Sequence, residues 1–372
     1  MPGLVSKSDF IALEGVTNLV AGGEPPLLKM HRQAFEDYAA DKARGYDGYW
    51  QHWAVNEEVR SLVAGLLHMQ ADDISLVGSA SEGISQVISS IDWRPGDNAV
   101  TSTIEYASGR FAFSGLQKLG VDARMVEPDR WHVDIEKLVD ACDDRTRLMY
   151  VSQVSYRTGQ LLHIERLSAE LRARGIPLLN DVSHALGVTP VDGQQADFTV
   201  CAGYKWLLGT QTGIFAWNRK RRPTFEPKGI GWRSAIVDEA SGKIVPRHDA
   251  NRVQVGNSNH LDVYLLRESL QYLRAIGIDR IRRHVIRLGD LLIEALQGLD
   301  LEIMTPESRD GRAGNICFAH PDPARLVELA AAENILFWGD DGRIRVSIHL
   351  YNDEDDIETL IEFLRRNRAH LC

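Results

Sequence analysis

Lys205 stands between Tyr204 and Trp206, just after the β-forming run 197–201 and before a turn at Gly209. Upstream, the apolar run 176–179 leads into Asn180-Asp181-Val182-Ser183-His184. A carboxylate and an imidazole at one strand end, with a lysine at the end of the next strand, form a chemical set. The lysine amine can form a Schiff base with an aldehyde cofactor. The aspartate can keep a pyridine-type nitrogen protonated. Together they are the protein's share of pyridoxal phosphate chemistry. Taken singly, each residue has a plain structural reading. Asp181 can cap the segment after it, His184 can be a satisfied buried histidine, and Lys205 a solvated lysine. Their order and their shared place at strand ends favour the joint reading.

The roles follow from the chemistry. Asp181 would pair with the ring nitrogen and make the ring an electron sink. Lys205 would hold the cofactor and, once displaced by a substrate amine, act as general base and acid. That work needs a lowered lysine pKa, which burial or a cationic neighbour supplies. His184 could hydrogen-bond the ring hydroxyl or pack beside the ring, and Tyr204 could reach the phosphate. Gly78-Ser79-Ala80-Ser81 follows a strand and opens a helix. Small residues there let backbone N–H groups approach a phosphate, and the helix dipole favours its charge. The same turn also reads as a plain N-cap. It is not G-x-G-x-x-G, so a dinucleotide site is disfavoured.

The elements that must position these residues can be read from periodicity. Runs 74–77, 98–102, 121–126, 146–153 and 176–179 read as strands. Helical patterns at 84–91, 110–119 and 164–174 separate them. This alternation predicts an α/β fold with a mostly parallel central sheet and helical crossovers. Ligands in such sheets sit at the carboxyl ends of the strands. After about Pro223 the chain turns polar and irregular. Long helices are expected at 261–276 and 280–296. Strands 301–304, 314–318 and 343–347 and a helix at 353–365 suggest a smaller α+β domain. The expected division is a large cofactor-binding domain, 18–258, and a small C-terminal domain, 259–372, joined by residues 1–17.

Three runs carry a family resemblance: Val154-Ser155-Tyr156-Arg157-Thr158-Gly159, Asn180-Asp181-Val182-Ser183-His184-Ala185-Leu186-Gly187 and Ala202-Gly203-Tyr204-Lys205-Trp206-Leu207-Leu208-Gly209. The chain resembles the class V aminotransferase group of fold-type I pyridoxal-phosphate enzymes. That group includes kynureninases, cysteine desulfurases and isopenicillin N epimerase-like proteins. The resemblance spans about 18–362. It implies that the segment 103–108 brings Tyr106 to stack on the ring, where desulfurases have histidine. Ser79 and Ala80 match the phosphate turn. Gly256-Asn257-Ser258 resembles the segment that reaches the phosphate of the partner subunit's cofactor, which implies a homodimer with sites at the interface. Arg345, in the run 345–352, matches the arginine that grips a substrate α-carboxylate. A guanidinium fork suits that task. Its plain reading is a surface arginine like Arg343.

Departures from the family pattern narrow the reaction. Desulfurases carry a cysteine on a loop before the arginine strand, and the interval 334–342 has none. Cys317 falls in an expected buried strand. A persulfide-forming desulfurase is therefore disfavoured. Ala202 stands where several relatives place a serine or threonine for the phosphate, which shifts that contact towards Tyr204 and Ser79. The Tyr-Lys pair and Asp-x-x-His are kynureninase-like.

Composition excludes other classes. The 372 residues carry a net charge of −10, with no basic stripe for nucleic acid. The run 219–222 is basic but reads as a solvated strand end. The N-terminus lacks the apolar region of a signal peptide, and no run reaches the roughly 18 apolar residues of a membrane span. Cys142, Cys201, Cys317 and Cys372 show no metal-binding or disulfide spacing. A cytoplasmic location and no metal are expected. The expected activity is that of a pyridoxal 5'-phosphate enzyme on an amino acid or small amine. Transamination leads, and kynureninase-like β-bond cleavage or epimerisation follow. A non-catalytic binding protein of the same fold is the rival class.

Overall fold

The computed structural model describes residues 3–371. Cys372 and residues 1–2 lie outside the described part. Short strand β1 (Thr17–Asn18) precedes helices α1 (His31–Ala43) and α2 (Tyr46–Leu67). The central sheet is then laid down by β2 (Ile74–Val77), β3 (Asn98–Ser102), β4 (Asp122–Val126), β5 (Thr146–Ser152), β6 (Leu178–Asp181), β7 (Phe198–Ala202) and β8 (Gly213–Trp217). Between these strands lie α3 (Ala80–Ser90), α4 (Ala107–Gly115), α5 (Ile135–Asp140) and α6 (Ile164–Ala173).

The strand order is β2-β8-β7-β6-β5-β3-β4. Only β8 runs against its neighbours; the other pairings are parallel. Apart from the edge strand β4, the sheet is buried on both faces, as crossover helices require. Along β5, Leu148 and Tyr150 enter one apolar cluster while Met149 and Val151 enter another. Period two thus serves two cores. The parallel register sets Ser152 beside Asp181, and Asp181 beside Val200. Asp181 is therefore the last residue of the sheet's middle strand, at its carboxyl edge.

The remaining chain forms hairpin β9 (Ala235–Val237) and β10 (Ile244–Pro246), inside the stretch expected to be irregular. Helix α7 (His260–Ile276) packs on α1 and α2. Helix α8 (Ile278–Gly298) buries Ile281, Val285, Leu288, Leu292 and Leu296, one stripe at helical spacing. A three-stranded antiparallel sheet follows, β11 (Asn315–Ala319), β14 (Arg343–Ser347) and β13 (Trp338–Asp340), with α9 (Pro323–Ala331) and α10 (Glu354–Arg366). Asp353 closes a capping box at the start of α10. Strand β12 (Ile335–Leu336) pairs with β1, so the N-terminal segment joins this C-terminal body.

One expected strand is absent. Residues 301–304 make a single bridge, Ile303 to Phe318. The ladder stops where the Thr305 hydroxyl takes the Cys317 N–H and Pro306 offers no N–H of its own. The N-terminal helices α1 and α2 went unread in the sequence, as did α9.

Candidate active site

Asp181, His184, Lys205 and Arg345 converge at the carboxyl edge of the sheet, and all four are buried (6, 5, 8 and 5% exposed). Lys205 follows β7 by three residues, and its Nζ lies 3.3 Å from His184 Nε2. The Tyr106 ring centroid is 5.2 Å from the same Nζ, and that of Tyr204 is 5.8 Å away. Burial lowers the Lys205 pKa; Asp181 pulls it back up and Arg345 pushes it down. Burial, then the charges of Lys205 and Arg345, hold His184 well below the ordinary histidine range. The imidazole is therefore neutral around pH 7.

Asp181 is held from behind. Tyr150 donates its hydroxyl to Oδ2 at 3.2 Å, and the Ser183 N–H donates to Oδ1 at 2.8 Å. Burial, then Asp181 and Glu105, push the Tyr150 hydroxyl well above its usual range, so it stays a donor. Tyr150 fits because α4 carries Gly109 there. A Cβ at Gly109 would meet the Tyr150 ring at 2.1 Å. Glu105 completes this back wall, accepting from both the N–H and the hydroxyl of Ser152.

Arg345 lies on β14. Its Nη1 donates to the Tyr156 carbonyl at 3.3 Å, its Nε has no partner, and no ion pair reaches it among the described residues. Trp338 lies 5.6 Å from the guanidinium, and Tyr156 meets Tyr106 edge-on with ring centroids 5.2 Å apart. Neighbouring Arg343, by contrast, pairs with Asp341 at 3.4 Å. A buried cation without an anion is costly.

The turn after β2 forms as the start of α3. Ser79 is the N-cap of α3, and its hydroxyl accepts from the Glu82 N–H at 3.1 Å. One lone pair of the hydroxyl is thereby given to the helix, and its O–H remains free to donate. The backbone N–H groups of Ala80 and Ser81, in the first turn of α3, are the ones that point out of it. Gly213 of β8 closes against this turn, where a Cβ would strike Ser79 backbone at 2.3 Å. Asn257 and Ser258 line a cleft of about 240 Å³ with Gly78, Glu82 and Gln211 of the same chain. Ser258 is tied there to Asn56 and Gln254, at 2.8 and 2.6 Å. Lys205 is not part of that cleft.

The residues present fit pyridoxal phosphate: an orphaned guanidinium, a buried lysine of lowered pKa, a braced carboxylate and free N–H groups at a helix start. Several residues at this site carried no signal in the sequence. Tyr150, Asn315 and Gly22 all reach it from distant parts of the chain. Glu105 was visible only as the neighbour of Tyr106.

Comparison with known proteins agrees with this arrangement. A family model described as Aminotransferase class-V matches residues 24–360. A probable cysteine desulfurase of Methanothermobacter thermautotrophicus is 26% identical over 362 residues, covering 91% of this chain and 90% of that protein. The kynureninase of Bacillus mycoides is 25% identical over 353 residues, covering 87% of this chain and 82% of the relative. Among solved structures, C-DES with glycine covalently linked to its PLP cofactor superposes with a TM-score of 0.89 at 20% identity, over 97% of this chain and 99% of that one. That last likeness is one of fold.

Glu105 gives this site a pH signature. Burial raises its carboxyl from 4.5 to about 7; the two Ser152 donors pull down and Asp181 pushes up. Between those values the native state holds a proton that the unfolded chain has lost. Stability is therefore complete below about 4.5 and falls as pH rises through about 7. Glu105→Gln should abolish that fall, which is worth up to about 3 kcal/mol. Urea unfolding of both proteins across this range checks it. A wild-type-to-variant difference that is flat with pH would contradict the buried, protonated carboxyl.

Proposed function

The chain belongs to the class-V aminotransferase family, and we propose that it removes the α-proton of a free α-amino acid whose carboxylate is held by Arg345. The cofactor is pyridoxal 5'-phosphate, which when bound draws electron density from the substrate α-carbon and so makes its hydrogen acidic. The observation that carries the reading is Arg345 itself, 5% exposed and without an ion-pair partner among the described residues.

Each side chain then has a task. Arg345 binds the carboxylate through its planar fork and fixes the rotation of the α-carbon substituents. Lys205 anchors the cofactor; its amine, displaced by that of the substrate, takes the α-proton and returns it. Burial lowers its pKa, which eases loss of the proton from the amine. Asp181 keeps a proton on the ring nitrogen, and Tyr150 and Ser183 hold that carboxylate in place. Ala80 and Ser81 N–H groups, with Ser79 as cap and Tyr204 nearby, serve the phosphate. Tyr106 stacks on the ring, and His184 meets its hydroxyl.

Where the proton is returned decides the reaction. Transamination is the leading reading. A kynureninase-like β-bond cleavage is the second. It is favoured by the wall of Tyr106, Tyr156 and Trp338 beside Arg345, which borders the space for a substrate side chain. A cysteine-persulfide route lacks its nucleophile among the described residues. Cys142, Cys201 and Cys317 are buried, and burial pushes the Cys317 thiol up to about 11.

The division into bodies 18–258 and 259–372 belongs to the same proposal, and β1 pairing with β12 supports its joining of the N-terminal segment to the smaller body. So does a cytoplasmic homodimer. Ile230, Trp232, Val237 and Ile244 expose apolar surface in one stretch of chain, which a second copy would cover. Asn257 and Ser258 lie just beyond that stretch. No helix among the described residues is long and apolar enough to cross a membrane.

Exchange of the α-proton for deuterium, followed by NMR over a panel of amino acids, tests the main reading. Wild type should exchange an amino acid far faster than its decarboxylated amine. Arg345→Ala should lose most of that preference, on the order of 2–4 kcal/mol in kcat/KM, and Arg345→Lys should raise KM. Equal loss for acid and amine would make the arginine structural. Sedimentation of the active holoenzyme should show a dimer; a fully active monomer at assay concentration would refute the shared interface.

A further inference from the structure

His184 is gripped on both ring nitrogens. Its Nδ1 lies 3.0 Å from Asn315 Nδ2 and 3.4 Å from Trp206 Nε1, while its Nε2 lies 3.3 Å from Lys205 Nζ. An amide such as Asn315 can be turned either way and does not choose a tautomer by itself. An indole N–H can only donate. Trp206 therefore makes Nδ1 the acceptor, and Asn315 must present its NH2 group to the same atom. Its Oδ1 is then left for the Ser347 hydroxyl, which donates to it at 2.8 Å. The two constraints agree.

We propose that Trp206 and Asn315 lock His184 as the tautomer protonated on Nε2, so that an N–H faces Lys205, and that the strand bearing Arg345 sets this lock through Ser347. The consequence rests on the reading of Lys205 as the cofactor lysine. An ammonium has three donors and no acceptor, so an N–H pointed at it is unfavourable, whereas a neutral amine accepts from it. The lock thus favours the form of Lys205 that attacks an aldehyde or takes a proton. Asn315 is a positioning residue, since it acts only through His184.

The strands explain why the C-terminal body is needed. Asn315 on β11 is register partner to Ser347 on β14, and Arg345 lies two residues before Ser347 on the same face. The carboxylate-binding residue and the anchor of the carboxamide therefore share one strand. The N-terminal segment seals the arrangement. A Cβ at Gly22 would meet Ser347 Oγ at 2.7 Å, Asn315 Oδ1 at 3.0 Å and His184 Cε1 at 3.2 Å. Only a residue without a side chain passes over this relay undisturbed.

The test uses apoenzyme with 15N-labelled histidine. In the wild type, NMR should show His184 protonated on Nε2 and bare on Nδ1. Asn315→Asp places an acceptor against Nδ1, and the proton should then appear on Nδ1. The same variant should react several-fold more slowly at Lys205 with a simple aldehyde at pH 7. A wild-type spectrum with Nδ1 protonated overturns the proposal, whether or not the variant folds. So does a folded Asn315→Asp protein with unchanged nitrogen signals. The spectra are read without cofactor, so they stand or fall separately from the assignment of Lys205, which cofactor attachment tests.

Discussion

The site depends on keeping three charged groups out of water within one small space. Lys205, Asp181 and Arg345 are each almost fully buried, and burial penalises every charge. Among the described residues, Asp181 is the carboxylate that acts on Lys205, and Arg345 has no ion pair. Asp181 accepts one bond on each oxygen, from Tyr150 and Ser183, and keeps lone pairs free for a further donor. Burial lowers the Lys205 pKa, which eases loss of its proton, and Arg345 is left without an ion pair among the described residues. Catalytic competence and substrate recognition are in this sense one electrostatic condition. Filling the space with a local carboxylate would relieve Arg345 and remove both.

The fold meets that condition by joining remote segments. The central sheet delivers Asp181 and Lys205 at adjacent strand ends, and α3 turns its N-terminus towards the same edge. The C-terminal sheet delivers Arg345, Ser347 and Asn315 on one face. Residues 17–23 run along that sheet through the β1–β12 pairing and a bridge from Val20 to Ser347. Tyr150 needs the gap at Gly109, and His184 needs the gap at Gly22. These two glycines mark close approaches that a methyl group would prevent.

What was legible in the sequence was local. Asp181, His184 and Lys205 announce themselves because strand ends are readable from short apolar runs, and the ordering of strand ends follows from crossover topology. The helices α7, α8 and α10 were legible from their stripes. The reversed strand β8 and the single-bridge segment 301–304 were not, because pairing direction and ladder length depend on partners far along the chain. Asn315 and Tyr150 lacked any signal for the same reason. Each is an ordinary strand residue whose role exists only in its contacts. At Ser79 two readings were open in the sequence, phosphate contact and helix N-cap, and the structure shows the cap, with its hydroxyl accepting from the Glu82 N–H.

The central claim is that Lys205 is the covalent anchor of pyridoxal 5'-phosphate. Reduction of the holoenzyme with borohydride followed by peptide mapping tests it most directly. The account predicts that the reduced cofactor is found on Lys205 and that Lys205→Ala, though folded, carries none. Label on any other lysine, or an equally labelled Lys205→Ala protein, would contradict it.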